Sequence, residues 1–391
     1  LPLMRESLLF SYKIPNSLIL IFLERFDGFF FTMYVRFIYS FHFVAQIGKF
    51  QLHTFVTVAI QTCDVWEPAL LKGNKLFRKI LLGILFLVFF LWLAFKGFDG
   101  KKFIAILNKL EWPPILASSL LVLLAHYLRS WRWKYLLRKS NKNISKFQAF
   151  SSLIVGYFVN SFIPRMGEFA RAFFLKKISG TSSVASLSSI VIDRILDLLA
   201  LLVLFFLILI LHYPKLLIII PSPVFSFFVL IAVTFSLLAL TYYVYRDPTR
   251  ISKLANKLGT KFFPERKLSL TKTSSNFIEG LTGLFDTTLF TPVFLLTVLI
   301  WLVYLLSVWV LFFSFPFSEI YMMSFTEAFF LLFMLSVGVM IPSPAGTGSI
   351  HYFVSFALTN VFLSNANESL VFATIVHAVG FVPVVFIGFV F

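Results

Sequence analysis

The chain has 391 residues, of which 59% are hydrophobic and only 13% are charged, with a mean hydropathy of +0.92. Soluble domains carry about 25% charged residues, so this composition excludes a soluble protein and indicates an integral membrane protein. The formal charge of +17 does not indicate nucleic-acid binding, because the basic residues lie in short blocks beside apolar stretches and so are typical of topology signals. The single cysteine, Cys63, excludes a cysteine-based metal site, and we predict neither a metal nor a cofactor.

The first 72 residues differ from the rest of the chain. Their apolar stretch, 17–45, is interrupted by charged side chains, each of which costs about 2.5–3.5 kcal/mol at the centre of a span. A basic run, 72–79, then leads directly into an apolar segment. We therefore expect residues 1–72 to be an upstream or poorly ordered extension and residues 73–391 to form the transmembrane domain.

Six apolar stretches are long enough to cross a bilayer. Seven basic residues and no acid lie between Arg129 and Lys146, and eight basic residues lie in the loop 246–290, which contains an amphipathic stretch at about 272–289. The positive-inside rule places both regions in the cytosol, and we expect the membrane to be the bacterial plasma membrane. The predicted spans cover about 80–95, 113–137, 184–211, 223–245, 292–314 and 369–391.

Two further segments resemble each other, and Pro and Gly interrupt both. Residues 147–177 and 325–363 each contain an apolar half-helix, an Ile-Pro step, a Gly-containing turn and a second short helix. Such interruptions at matching places in two halves are the best sequence indication of a transporter's substrate site. We predict an all-α polytopic protein with two re-entrant helical hairpins in an inverted repeat, whose halves cover about 75–212 and 222–391. The first half-helix, 147–163, is nearly long enough to cross the bilayer, and the inverted symmetry fails if only one of the two segments crosses fully.

The first interrupted segment carries ionisable side chains. Pro164 breaks the helix, and Gly167 is expected to adopt the unusual backbone of the reversal. Glu168 and Arg171 are three residues apart and share a helix face. Ionisable groups at membrane depth mark a functional path by default. The alternative is that Arg165, Glu168 and Arg171 only line the cytosolic interface with their charged ends in water.

A second charged cluster, Asp193, Arg194 and Asp197, lies within the third predicted span. Asp193 and Asp197 share a face, and Arg194 points about 100° away. Helical rise places Asp193 about 14 Å along this span, a depth at which a charge requires a partner. We expect Arg171 or Arg165 to pair with the aspartates, either in a substrate site or in a structural salt bridge.

The second interrupted segment contains the run Pro342–Gly348, followed by His351. Its turn is expected to present free backbone N–H groups at the start of a half-helix, an arrangement that binds phosphate. Alternatively, its glycines only permit close helix packing. We interpret His351 and His377 as hydrogen-bonded packing residues, and the stretch Trp131–Lys134 as an interface anchor.

Three motifs together resemble the transmembrane-region family of lysylphosphatidylglycerol synthases, which are flippase-like integral membrane proteins, over about residues 75–391. They are Asn160-x-x-x-Pro164-Arg165-x-Gly167-Glu168-x-x-Arg171, Asp193-Arg194-x-x-Asp197 and Pro342-x-Pro344-x-Gly346-x-Gly348. The resemblance implies movement of a polar-headed lipid between leaflets. In better-known members this region is fused to an aminoacyl-transferase, a domain not found within these 391 residues. The sequence departs from the family at Ala345-Gly346, where two glycines are usual, and at His351, where an acid is common.

These features predict a flippase or transporter for an anionic, phosphate-bearing lipid, with a homo-oligomer or a separate lipid-modifying enzyme as partner and no nucleic acid. Arg165, Arg171 and the N–H groups after Pro344 would hold the phosphate, while the acidic residues would balance charge or bind an amine. The sequence contains no GxxxxGK[ST] loop, so we expect no ATP hydrolysis. The candidate substrate-binding residues are Asn160, Arg165, Gly167, Glu168, Arg171, Asp193, Arg194, Asp197, Pro342, Pro344, Gly346, Gly348 and His351.

Two other classes stay open. A membrane enzyme acting on a lipid-linked substrate would use Asp193 and Asp197 to hold a divalent metal, although such a site needs more oxygen ligands than the sequence offers nearby. A non-transporting membrane scaffold or regulator is the second alternative, and substitution of Glu168 or Arg171 would leave its function intact.

Overall fold

The computed structural model describes residues 75–95, 98–247, 277, 280, 287–315 and 317–391. Within these residues the secondary structure is helical, without strands, which confirms the predicted all-α class. All of them belong to one compact unit, Pro68–Phe391. The expected extension at 1–72, Cys63 and most of the amphipathic stretch at 272–289 lie outside the described residues.

The first half of the described chain contains three long helices, two before and one after a Pro-broken helix pair. The pair, α4 (Lys146–Phe162) and α5 (Gly167–Ser179), begins within one residue of the predicted start, 147, and ends within two residues of the predicted end, 177. The helices are α1 (Lys75–Ala94), α2 (Gly100–Leu107), α3 (Trp112–Leu136), α4 (Lys146–Phe162), α5 (Gly167–Ser179), α6 (Ser183–Leu211) and α7 (Tyr213–Ile219).

The second half repeats this order of long helices and a broken pair, which here is α11 and α12. We call α4 with α5 the first broken pair and α11 with α12 the second broken pair. The helices are α8 (Pro223–Arg246), α9 (Thr287–Leu311), α10 (Phe317–Ile320), α11 (Phe325–Met340), α12 (Ser349–Asn360) and α13 (Ala366–Val390). Short 3-10 turns cover Phe312–Ser314 and Pro344–Gly346.

Four helices in the described ranges are long and apolar enough to cross a membrane, so the chain is an integral membrane protein. They are Ser183–Leu211, Pro223–Val244, Thr288–Ser314 and Ala366–Val390, and they correspond to four of the six predicted spans. The other two predicted spans are the helices α1 and α3, of which α1 contributes the shorter apolar segment Gly83–Ala94. The count of six full spans therefore stays a prediction.

Two short helices, α2 and α7, lie between predicted spans. Helix α2 begins after Asp99, whose Oδ1 accepts hydrogen bonds from the backbone N–H groups of Lys101 (3.0 Å) and Lys102 (3.3 Å). This side-chain cap satisfies two of the free N–H groups of the first turn. Helix α7 has Pro214 in its first turn, where the missing N–H has no cost.

The first helix of each broken pair starts in the same way, with a capping box. In α4 the Ser145 Oγ accepts from the Gln148 N–H (3.0 Å), and Gln148 Oε1 accepts from the Ser145 N–H (2.9 Å). In α11 Ser324 and Glu327 have the corresponding roles. Reciprocal capping is a local sequence signal, so both starts follow directly from the residues present.

The packing of the helices is reciprocal between the two halves. Helices α3 and α9 pack along each other. Helix α6 packs against α5 of the first broken pair and α11 of the second, while α13 packs against α12 of the second pair and α4 of the first. Each broken pair is therefore held between α6 and α13. The largest hydrophobic core among the described residues lies mostly in the second half, around residues such as Leu311, Phe330 and Phe372, and includes residues of α6 such as Phe205.

Candidate functional site

Buried charge is concentrated in one connected group of side chains on α3, α5 and α6. We call this group the charge network, and every member forms an ion pair with another member. Its members are Arg129, Arg132, Glu168, Arg171, Asp193, Arg194 and Asp197.

Arg132 lies at the centre of the charge network and joins the two aspartates of α6. Its Nε donates to Asp193 Oδ1 (3.0 Å), and its Nη2 donates to Asp197 Oδ1 (2.7 Å). A third hydrogen bond, from Nη1 to Thr297 Oγ1 (3.1 Å), ties the group to α9. Arg129 also pairs with Asp197. The four-residue spacing of the aspartates places both on the face that meets α3, as their positions on a helix predict.

Arg171 reaches Asp193 from the first broken pair. Its Nη1 lies 3.6 Å from Asp193 Oδ2, and its guanidinium group lies 3.6 Å above the centre of the Trp133 ring. The Trp133 Nε1 donates in turn to Ser189 Oγ (2.9 Å). The Nε and Nη2 atoms of Arg171 are buried and have no hydrogen-bond partner in the described part of the chain. Unpaired buried donors are costly, so an acceptor at these two atoms would be favourable.

Glu168 and Arg194 form the more accessible end of the charge network. Arg194 Nη2 donates to Glu168 Oε1 (3.2 Å), and Arg194 Nη1 lies 3.7 Å from Asp197 Oδ2. The side chain of Arg194 is 42% exposed and that of Glu168 is 23% exposed. Both Asp193 and the side chain of Arg132 are fully buried. The charge network therefore runs from a buried core to an accessible edge.

The charges of this network do not balance. Four arginines stand against three carboxylates, which leaves one positive charge in excess among the described side chains. A buried charge without a partner is unfavourable at low dielectric. An anion beside Arg171 would neutralise the excess and accept from its two free nitrogens.

Two members, Arg129 and Arg132, were not expected in the site. The positive-inside rule places both in the cytosolic basic block, and the stretch Trp131–Lys134 is typical of an interface anchor. The anchor interpretation is wrong for Arg132 and Trp133, because both are fully buried. The positive-inside rule counts charges but does not resolve which face of a helix they occupy. The available signal was the i, i+3 spacing of Arg129 and Arg132, which places them on one face of α3.

Asn160 and Gly167 hold the two helices of the first broken pair together. The Gly167 N–H donates to Asn160 Oδ1 (2.7 Å), which caps the start of α5. A Cβ at Gly167 would lie 2.1 Å from the Gly156 carbonyl oxygen, so glycine is required for close approach. The expectation that Gly167 adopts an unusual backbone is wrong, since the positive φ of the turn belongs to Arg165 (65°).

The two breaks meet each other. Arg165 does not pair with the aspartates: its exposed side chain donates from Nη2 to the Met340 carbonyl oxygen (2.5 Å) at the end of α11. A cation is favourable at the C-terminal end of a helix. Gly83 of α1 lies between the breaks, because a Cβ there would lie 2.7 Å from Pro164 Cγ and 3.6 Å from the Pro342 carbonyl oxygen.

The turn of the second broken pair uses its N–H groups internally. Those of Gly346, Thr347 and Gly348 donate to Ser343 O (3.1 Å), Pro344 O (2.8 Å) and His351 Nδ1 (3.4 Å). The predicted phosphate site after Pro344 is therefore wrong for these three donors, because local acceptors already occupy them.

The glycines of this turn are needed for the backbone itself. Gly346 and Gly348 have φ of 74° and 83°, in the region that favours glycine. Gly348 also packs against α1, where a Cβ would lie 2.9 Å from the Leu87 carbonyl oxygen. His351 is buried, and the centre of its ring lies 5.0 Å from that of His377, whose Nε2 is 3.2 Å from the Ala345 carbonyl oxygen. The second break therefore has no charged group comparable to Arg171.

No group of three His, Cys, Asp or Glu residues is arranged to hold a metal ion among the residues that the structure describes. Asp193 and Asp197, the pair considered for a divalent metal, accept from Arg129 and Arg132 instead. Arginine donates to three of their four carboxylate oxygens, and the fourth, Asp193 Oδ2, lies 3.6 Å from Arg171 Nη1, so these oxygens are surrounded by cations rather than open to a metal.

The fold and the site define an all-helical integral membrane protein with two broken helix pairs and a buried charge network on α3, α5 and α6. The family described as the lysylphosphatidylglycerol synthase TM region matches residues 80–388, and the chain belongs to this family. A UPF0104 membrane protein of Methanocaldococcus jannaschii is 27% identical over 297 residues, which cover 72% of this chain and 85% of that protein. No solved structure matches the chain.

Proposed function

We propose that this protein moves an anionic, phosphate-bearing lipid between the two leaflets of its membrane without changing the lipid chemically. The observation that carries the proposal is the excess positive charge of the charge network, together with the two free donors of Arg171. Nε and Nη2 form one edge of the guanidinium group, and such an edge binds phosphate through two parallel hydrogen bonds. The acyl chains would remain in the hydrocarbon phase while the headgroup passes through the protein.

The proposed topology has six full spans and two re-entrant helical hairpins in an inverted repeat. The reciprocal contacts of α6 and α13 with both broken pairs support a two-fold relation between the halves. The basic end of α3 would face the cytosol, and the first broken pair would enter from that side. The bacterial plasma membrane fits this charge distribution.

The contact between the two breaks offers a mechanism for alternating access. Arg165 donates a hydrogen bond to the Met340 carbonyl oxygen across the breaks. Gly83 lies between Pro164 and Pro342, where there is no room for a side chain. Movement of one broken pair relative to the other would open a path on one side and close it on the other. Binding sites in transporters lie between such discontinuous helices.

The test is a leaflet assay with the full chain in proteoliposomes, using fluorescent phosphatidylglycerol and dithionite to quench the accessible leaflet. We expect Arg171→Gln to slow translocation at least tenfold, since it removes both free donors. The variant should fold, because three arginines then balance three carboxylates. Arg171→Lys should retain part of the rate because it keeps the charge.

The control is Lys176→Gln, an exposed position on the same helix, which should change the rate less than twofold. Equal rates for wild type and Arg171→Gln would refute the assignment of Arg171. If the wild-type protein moved no labelled lipid, transport of a glycerophospholipid would be refuted. Chemical modification of the lipid, seen by mass spectrometry, would support the enzyme class instead.

A further inference from the structure

A basic pocket of about 440 Å³ lies at the end of α3, outside the charge network. Its volume lies within the range of about 300–1,000 Å³ that is usual for ligand sites. Two aromatic side chains, Trp131 and Tyr135, form one part of its wall, and Asn141 contributes to the rest. The remaining lining residues are all cations spaced four residues apart, namely Lys134, Arg138, Lys142 and Lys146.

Among the residues that the structure describes, the cations of this pocket have no acidic partner. No ion pair to a carboxylate is formed by these four side chains within the described ranges, and no acid lines the pocket. Lys146 instead lies 3.7 Å above the Trp131 ring. Basic residues at a membrane surface are often only solvated, but here they converge on one concavity. Convergent cations without acids favour a ligand with several negative oxygens.

An aromatic ladder leads from the pocket along α3. The ring centres of Tyr127 and Trp131, and of Trp131 and Tyr135, are each 6.5 Å apart. Tyr127 is 36% exposed and also contacts Phe150 of α4. Tyr and Trp are the side chains that accumulate at the level of lipid headgroups. The ligand should therefore have an apolar part beside its anionic part.

The pocket is attached to both ends of the first broken pair. Lys146 is the first residue of α4. Asn141 donates from Nδ2 to the Ser179 carbonyl oxygen (3.2 Å) at the end of α5 and to Thr181 Oγ1 (3.0 Å). A ligand in the pocket would thus contact the segment that carries Arg171.

We propose that the basic pocket binds the phosphate headgroup of an anionic phospholipid in the leaflet at the basic end of α3. The phosphate contacts the four cations, and the glycerol and upper acyl chains lie along the aromatic ladder. The pocket collects the lipid before it reaches Arg171, a step that rests on the proposed function. Binding itself does not require transport.

The experiment is equilibrium binding to the purified full chain in detergent by isothermal titration calorimetry. The probes are dioctanoyl phosphatidylglycerol, dioctanoyl phosphatidylcholine and glycerol phosphate. The variant is Lys142→Gln with Lys146→Gln, which are exposed positions. The control is Lys176→Gln with Lys177→Gln, which removes the same charge from exposed positions of α5.

We expect the Lys142/Lys146 variant to bind phosphatidylglycerol about tenfold more weakly, and the control to stay within twofold of wild type. Phosphatidylcholine should bind weakly to all forms, and added salt should weaken binding of phosphatidylglycerol. Equal loss in variant and control would refute the pocket. Glycerol phosphate binding as tightly as phosphatidylglycerol would also refute it, because the ligand would then be a soluble anion.

The two proposals fail separately. Pocket-dependent binding by a protein that moves no lipid would support the pocket and refute transport. Transport that is unaffected in the Lys142/Lys146 variant, together with unchanged binding, would refute the pocket and leave the role of Arg171 intact.

Discussion

The two broken helix pairs share a backbone plan. In each, a proline is followed at once by a residue with positive φ: Arg165 (65°) after Pro164, and Ala345 (51°) after Pro344. This conformation is unfavourable for residues other than glycine, by about 1–3 kcal/mol. Its recurrence at both breaks indicates that the surrounding packing imposes the same turn twice.

The side chains around the two breaks differ in charge. Arg171 lies seven residues after Pro164 and pairs with Asp193 of α6. His351 lies seven residues after Pro344 and contacts His377 of α13 through its ring. The matching positions thus carry an ion pair in one half and two imidazoles in the other.

The second broken pair is held by hydroxyl groups and close packing. Ser349 Oγ donates to the Gly338 carbonyl oxygen (2.7 Å) and also bonds Ser343 Oγ (2.9 Å). A Cβ at Gly338 would lie 2.8 Å from Ile350 Cα, so the helices are in close contact. Among the described residues, the break of the second pair has no buried ion pair. The buried carboxylate of this pair, Glu327, lies at the start of α11 and pairs with Lys215. The charge network thus distinguishes the first break from the second.

The largest expected effect is that of Asp193→Asn. This change leaves four arginines against two carboxylates, and removing one partner of a buried ion pair costs about 3–5 kcal/mol. We expect loss of folded protein or a marked drop in the melting temperature, measured by size-exclusion chromatography and thermal unfolding. His377→Asn, at the matching place in α13, should cost about 1 kcal/mol because it loses one hydrogen bond. Equal losses would refute the contrast between the breaks.

Gly167→Ala should cause the second-largest loss of stability. Its new Cβ would lie 2.1 Å from the Gly156 carbonyl oxygen and 2.5 Å from Asn160 Cγ, and overpacking of this kind costs about 3 kcal/mol. Thermal unfolding in detergent is the measurement. The control is Gly380→Ala, where the nearest atom, Val122 Cγ1, is 4.0 Å away. That variant should be neutral or gain up to about 1 kcal/mol from helix propensity. A stable Gly167→Ala protein would contradict the close approach of α4 and α5.

Ser349→Ala tests whether hydroxyl groups hold the second broken pair. The change leaves the Gly338 carbonyl oxygen and Ser343 Oγ without this partner, and we expect a loss of about 1–2 kcal/mol. The measurement is the midpoint of thermal unfolding. Ser226→Ala is the control, since Ser226 Oγ bonds only within its own helix, to Ser222 O (3.0 Å). If both variants matched wild type, packing alone would hold the second pair.

The smallest effect is expected for Lys215→Gln. Lys215 Nζ lies 3.1 Å from Glu327 Oε1 at the start of the second broken pair, but its side chain is 35% exposed. Exposed ion pairs contribute about 0–1 kcal/mol. We therefore expect a change below about 1 kcal/mol in thermal unfolding, close to that of Lys101→Gln. A loss comparable to that of Asp193→Asn would show that charge is as important in the second pair as in the first.

Local features of the fold were predictable from the sequence. The apolar composition predicted the membrane class, and Pro164 and Pro342 predicted where the helices break, because proline lacks the N–H that a helix interior needs. The spacing of Asp193 and Asp197 predicted that both lie on one face. Each of these inferences depends on residues that are close together in the chain.

The tertiary structure alone decided which groups meet. Arg132 pairs with Asp193 across 61 residues of sequence, and Arg165 bonds Met340 across 175. Such pairings depend on how α3, α6 and α11 pack, which no local spacing encodes. The turn after Pro344 is a second example, because its N–H groups donate to acceptors that only the folded backbone brings near. Short stretches of the sequence determine where charges and helix breaks lie along the chain. The packing of the whole bundle determines which charges pair and which are buried.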